Sequence, residues 1–217
     1  MLIFGIYCVT AIVNLASAVF FAEGVRKISK CCLMPALLVF YLLNTEQVLV
    51  PVIAAIIFSW GGDILLINKD KPLFFKLGLG AFLLSHVFYA AAFLVLAGSI
   101  NIQVLIISGV IAVPLGWAML KLLNAPAPMK IPVSAYAIII LLMSMSALQL
   151  MLARPDYGGN IIFAASIVYL FSDTFMAYLL FNGKPKYFNL ITMIPYILAQ
   201  GGIVIGLCVN YFTKCSF

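Results

Sequence analysis

The segment QVLVPVIAAIIFSWGGDILLIN, residues 47–68, contains a single ionisable side chain, that of Asp63. A transmembrane helix needs roughly 20 mostly apolar residues, so this stretch reads as a membrane span. An ionised carboxylate within a span costs about 2.5–3.5 kcal/mol on insertion scales, so Asp63 calls for a physical reason. On either side the apolar pattern recurs over 2–22, 31–44, 73–97, 102–122, 131–152, 161–181 and 189–212, the second stretch being short and carrying Pro35. Turn and breaker compositions separate them, such as Lys69-Asp70-Lys71-Pro72, Asn124-Ala125-Pro126-Ala127-Pro128, Asp156-Tyr157-Gly158-Gly159 and Asn182-Gly183-Lys184-Pro185. Of the 217 residues 66% are hydrophobic and 8% charged, where a soluble domain carries about a quarter charged residues. The expectation is an all-α, polytopic integral membrane protein, with about eight transmembrane helices in one bundle. It makes a single transmembrane domain over residues 1–217 with no extramembrane domain, so function lies inside the bundle or on its faces.

The net charge of +6 comes from Lys and Arg scattered singly through the short connections, which is a topological pattern and excludes a nucleic-acid partner. Arg26, Lys27, Lys30, Lys69, Lys71, Lys76, Lys121, Lys130, Lys184 and Lys186 fall on one side, Arg154 and Lys214 on the other. Ten against two predicts that the first side is cytoplasmic and both termini are not. Ala16-Ser17-Ala18 resembles a signal-peptide cleavage site, but no basic stretch precedes the apolar run and Arg26, Lys27 and Lys30 follow it, which suits a retained first span. Cys8, Cys31, Cys32, Cys208 and Cys215 form no CxxC pair, and His86 is the one histidine. No site of several His or Cys metal ligands is expected, and no cofactor. Cys215 sits one place too late for prenylation. Short loops without Asn-x-Ser/Thr sequons favour a bacterial inner membrane over the endoplasmic reticulum.

Of the six acids, Glu23, Glu46, Asp70 and Asp156 fall in loops or at helix ends, while Asp63 and Asp173 fall within spans. At about 1.5 Å of rise per residue, Asp63 lies roughly 8 Å and Asp173 roughly 13 Å inside the cytoplasmic boundary, with His86 near mid-membrane. All three can face one cavity. Gly78, Phe82, His86, Tyr89 and Phe93 recur at three or four residues on one span, and Ser166, Tyr169, Asp173 and Ala177 share a face of another. Gly61-Gly62 beside Asp63 permits close approach of backbone or substrate. Tyr196 and Gln200 lie one turn apart after Pro195, and the sixth span offers Pro132 and Tyr136. A faint duplication is also visible. Phe-Ser precedes each buried acid, and the following span carries a polar residue, His86 or Gln200, as two parallel four-helix halves would require. Each feature has a plainer reading. A buried Asp or His can bond helices together, and an aromatic stripe can be packing alone.

The set Phe58-Ser59-Trp60-Gly61-Gly62-Asp63, then Phe75, Gly78-Leu79, Phe82, His86 and Tyr89, then Leu170-Phe171-Ser172-Asp173 resembles the YhhN family, which includes the eukaryotic transmembrane lysoplasmalogenases. The likeness runs through most of the chain. It departs where the family often opens its second span with Lys-Pro, since Cys31-Cys32-Leu33-Met34 separate Lys30 from Pro35. The resemblance implies hydrolysis of the vinyl ether bond of lysoplasmalogens to a fatty aldehyde and a glycerophospho-choline or -ethanolamine. Its partners would be the lysophospholipid substrate and bilayer lipids.

The residue types suit that reaction independently. Proton delivery to the outer alkene carbon creates an oxocarbenium ion that water traps, a route needing one neutral acid and one carboxylate, as in glycosidases. The candidate pair is Asp63 and Asp173, with the two roles unassigned. His86 would orient water or a carboxylate, or hold phosphate. Tyr89, Tyr169, Ser59, Ser172, Tyr196 and Gln200 are candidate substrate contacts. Lys76, with Lys71, would draw in the lipid phosphate, although a purely topological role fits both lysines. A proton-coupled carrier of small molecules or lipids, or a non-catalytic lipid-binding scaffold, would also use intramembrane Asp and His residues.

Overall fold

The structure, a computed structural model, describes residues 2–20, 22–45, 48–68 and 70–212. Glu46, Lys69, Lys214 and Cys215, which entered the charge and cysteine readings, lie outside them. Eight α-helices are present and no strand among the described residues. They are α1 (Leu2–Val19), α2 (Glu23–Asn44), α3 (Val50–Leu65), α4 (Pro72–Ala97), α5 (Ile102–Leu123), α6 (Lys130–Ala153), α7 (Tyr157–Asn182) and α8 (Phe188–Phe212). Single 3₁₀ turns at Leu66–Asn68 and Ala127–Met129 extend α3 and lead into α6. Seven of the helices are long and apolar enough to cross a membrane, and α1 is a shorter apolar helix. The protein is a multi-pass membrane protein. Its outward faces bear large apolar side chains, Ile106, Val110, Val113 and Trp117 on α5 among them. Such exposure is costly in water and neutral against acyl tails.

Local chemistry sets the helix limits. Pro51 and Pro72 open α3 and α4, where a missing N–H costs nothing. The Asn101 side chain caps α5 by accepting from the Gln103 and Val104 amides. Gly98 (φ +72°) and Asn124 (φ +47°) end α4 and α5 in the left-handed conformation that suits those two residue types.

Two expected limits are corrected. The second span begins at Glu23 rather than 31, so Arg26, Lys27 and Lys30 are helical and not in a connection. The polar first turns carry good helix formers and simply continue the apolar part, and Pro35 is tolerated inside. The seventh span begins at Tyr157 rather than 161, because the Asp156 carboxylate caps it through the Gly159 amide at 2.7 Å. The stretch 156–159, read as a turn, is therefore a cap and the first turn of a helix.

Hairpins α1–α2, α3–α4 and α7–α8 form the body of the bundle, α4 packs on α6, and α1 and α2 pack on α8, while α5 lies against α6 and α7. Small residues set the closest approaches. A Cβ on Gly62 would meet the Phe82 ring at 2.6 Å, and one on Gly206 would meet the Gly158 carbonyl oxygen at 2.8 Å. The first contact closes α3 onto α4 and the second closes α7 onto α8. The apolar core runs through these interfaces, with Tyr41, Tyr89, Phe93 and Tyr169 fully enclosed.

Candidate functional site

Asp63 stands in the last turn of α3 and is 1% exposed. Tyr196 of α8 donates its hydroxyl to Asp63 Oδ2 at 2.7 Å, and Lys30 Nζ of α2 lies 3.2 Å from Oδ1. Lys30 reaches the acid because α2 begins early enough to place it within the bundle. The carboxylate thus holds a cation on one oxygen and a neutral donor on the other, the compensation a buried charge requires.

Asp173, in the middle of α7 and 9% exposed, has a different environment. Tyr136 of α6 donates to its Oδ2, and His86 Nε2 of α4 faces the same oxygen at 3.5 Å. The other ring nitrogen, Nδ1, is bonded to the Phe82 carbonyl within α4. Tyr169 and Tyr136 flank the imidazole, with ring centroids 4.6 and 5.3 Å away.

Behind the acids lies a sealed polar cluster. Gln200 of α8 donates to Ser59 Oγ at 2.8 Å and to the Tyr169 hydroxyl at 2.7 Å, and accepts from the Tyr89 hydroxyl at 2.8 Å. Ser59 also bonds Ser85 at 2.7 Å. These side chains satisfy one another and are wholly buried, as low-dielectric packing demands.

A cavity of about 90 Å³ opens among the helices. That is room for several waters or a narrow chain segment. Asp63, Asp173, Ser172, Tyr136 and Tyr196 line it, with Arg26 and Lys30. Apolar walls come from Phe82, Met119, Ile140, Met176, Leu180 and Met193. Leu123 at the end of α5 and Phe188 and Asn189 at the start of α8 border it, which places it in the half of the bundle where the basic residues gather.

The structure thus brings together Asp63, Asp173, Ser172 and Tyr196 on one cavity. His86 touches Asp173 from behind and does not line the space. Tyr89, Tyr169, Ser59 and Gln200, expected as substrate contacts, belong instead to the sealed cluster, because each finds a protein partner. Lys76 is exposed on the outer side of α4 and away from the cavity, and Lys71 lies over the Phe74 ring at 5.8 Å, so neither borders the site. Tyr136, which the sixth span offered, lines the cavity, whereas the two cations that line it, Arg26 and Lys30, were missed as site members. The four-residue spacing of Arg26 and Lys30, one helical turn, was the available signal. It was hidden by reading those residues as a loop. Among the described residues no group of three or more His, Cys, Asp or Glu side chains is placed to hold a metal ion.

No curated protein and no solved structure matches the chain. The YhhN family model matches residues 25–207, from the first turn of α2 to near the end of α8, and so takes in both acids and all their partners. On that match the chain belongs to the YhhN family.

Proposed function

We propose that the protein is a membrane-embedded hydrolase that cleaves the vinyl ether bond of lysoplasmalogens by carboxylate acid/base catalysis. The observation that carries this reading is the pairing of two acids on one cavity with unlike partners. Asp63, held by Lys30 and by the Tyr196 hydroxyl, takes the part of the carboxylate. Asp173, which has no Lys or Arg beside it and meets the Tyr136 hydroxyl and the His86 ring, takes the part of the acid. The Phe82 carbonyl only accepts, so His86 Nδ1 carries a hydrogen, and Nε2 faces Asp173 Oδ2.

Asp173 delivers a proton to the outer alkene carbon, and the adjacent ether carbon becomes an oxocarbenium ion stabilised by the Asp63 carboxylate. Water adds to this carbon and gives its proton to Asp63, forming a hemiacetal. Asp63 then protonates the departing glycerol oxygen while Asp173 takes the hemiacetal hydroxyl proton. The carbon–oxygen bond breaks, aldehyde and glycerophospho-alcohol leave, and both acids regain their starting states with one water consumed. Family membership supports this chemistry because the YhhN family includes transmembrane lysoplasmalogenases. The basic ends of the bundle face the cytoplasm in this reading, and a bacterial inner membrane houses it.

The test is aldehyde release from lysoplasmenylethanolamine by the purified protein. Asp63→Asn and Asp173→Asn should each lose about 100-fold or more in turnover while remaining folded and monodisperse. Near-normal turnover in either variant rejects the paired-acid mechanism. A carrier would instead move an unaltered substrate across sealed vesicles and release no aldehyde.

A further inference from the structure

Two cations line the cavity, Arg26 and Lys30, one turn apart on α2. They are in unlike situations. Lys30 is spent on Asp63 at 3.2 Å. Arg26 is half-buried at the cavity edge, and no carboxylate among the described residues lies within ion-pair distance of it. Its backbone is held in place. The Arg26 carbonyl accepts from Asn14 Nδ2 of α1 at 3.0 Å and from Ser29 Oγ at 3.1 Å. Asn14 is wholly buried, so a fixed contact between α1 and α2 sets where this side chain starts.

Lys30 is taken up by Asp63, and Asp173 is met by the Tyr136 hydroxyl and the His86 ring. Of the two lining cations, Arg26 is the one that no carboxylate among the described residues engages. A phosphodiester carries one negative charge, and the planar guanidinium fork suits two of its oxygens. The spacing agrees. Arg26 stands about 6 Å along α2 from Lys30, which touches Asp63. In a glycerophospholipid five single bonds separate the ether oxygen from phosphorus, a comparable length.

We infer that Arg26 is the phosphate-binding residue of the site and holds the substrate's headgroup phosphodiester while the vinyl ether lies between the acids. This rests on the hydrolase reading for its reaction, but the phosphate subsite can be tested apart from it. Lys76 and Lys71, which charge alone put forward for this task, stand outside the cavity. The apolar wall of Met119, Ile140 and Met176 is then left for the hydrocarbon chain.

The experiment compares lysoplasmenylethanolamine with a 1-alkenylglycerol that lacks the phosphate, using the full-length protein in detergent. Arg26→Ala should raise the KM for the phospholipid about 10-fold or more, the size expected for losing a charge-assisted contact, with kcat changed much less. The ratio of kcat/KM for phospholipid over alkenylglycerol should fall by the same factor, and Arg26→Lys should recover part of it. An equal loss on both substrates, or none on either, overturns the assignment. If no vinyl ether is cleaved by the wild type, the hydrolase reading fails while the subsite remains testable by binding. Lysophosphatidylethanolamine should then bind more tightly than monoacylglycerol, and Arg26→Ala should erase the difference. No preference in the wild type, or a preference that survives Arg26→Ala, overturns the subsite. So does inorganic phosphate binding as tightly as the lysolipid, because the phosphate would then be free and not part of a headgroup.

Discussion

The ion pair between Lys30 and Asp63 is the most consequential residue-level contact. It is buried, so its net worth to stability is small while the cost of breaking it is large. Lys30→Met leaves the Asp63 carboxylate without its cation and should destabilise the protein by about 3–5 kcal/mol. The double variant Lys30→Met with Asp63→Asn removes both charges and should recover most of that loss. Thermal unfolding in one detergent checks this, and additive losses in the double variant would contradict the pairing. Activity should be absent from the double variant even though its stability returns, because the carboxylate that serves water is gone. Stability and catalysis are thereby separated at one residue pair.

At the scale of the elements, the glycines beside Asp63 do different work. Gly62 faces α4, where an added Cβ would stand 2.6 Å from the Phe82 ring, while Gly61 points to open space with nothing within 4 Å. Gly62→Ala should push α3 off α4, cost about 1–3 kcal/mol, and disturb the Phe82–Tyr196 edge contact that backs the acid. Gly61→Ala should be neutral or stabilising by up to about 1 kcal/mol, since alanine favours the helix. Unfolding curves of the two variants measured side by side check the contrast, and equal effects would contradict the packing. The pair was read from sequence as one feature permitting close approach. The helix face decides which glycine does so.

For the whole molecule, the two halves exchange partners. Asp63 on α3 takes Tyr196 from α8, and Asp173 on α7 takes His86 from α4. His86 follows Asp63 by 23 residues, and Tyr196 follows Asp173 by 23 (86 − 63 and 196 − 173). The faint duplication paired His86 with Gln200. The spacing and the contacts pair it with Tyr196, one turn earlier. Each acid also takes a partner from the helix preceding its own, Lys30 from α2 or Tyr136 from α6. Neither half alone completes an acid's surroundings, so the site exists only when α4 meets α6 and α2 meets α8. In the proposed orientation, with eight crossings and the basic ends inward, both termini would lie on the far side of the membrane. An alkaline phosphatase reporter fused at the C-terminus should be active in a bacterial host, and a fluorescent protein fused there should be dark. The reverse result would mean that one span does not cross.

By itself the sequence determined that the chain is a bundle of membrane helices and that Asp63, His86 and Asp173 are its anomalous residues. Both follow from local physics: apolar length sets a span, and a charge inside one is costly enough to be conspicuous. Only the tertiary structure decided which polar residues border the cavity and which close on one another. Tyr89, Tyr169, Ser59 and Gln200 are chemically as suited to a ligand as Tyr196 or Tyr136, and their use depends on which neighbour each helix face meets. Arg26 and Lys30 depended on one limit, the start of α2, where eight residues' difference in a helix boundary turns a solvated loop charge into a group inside the bundle.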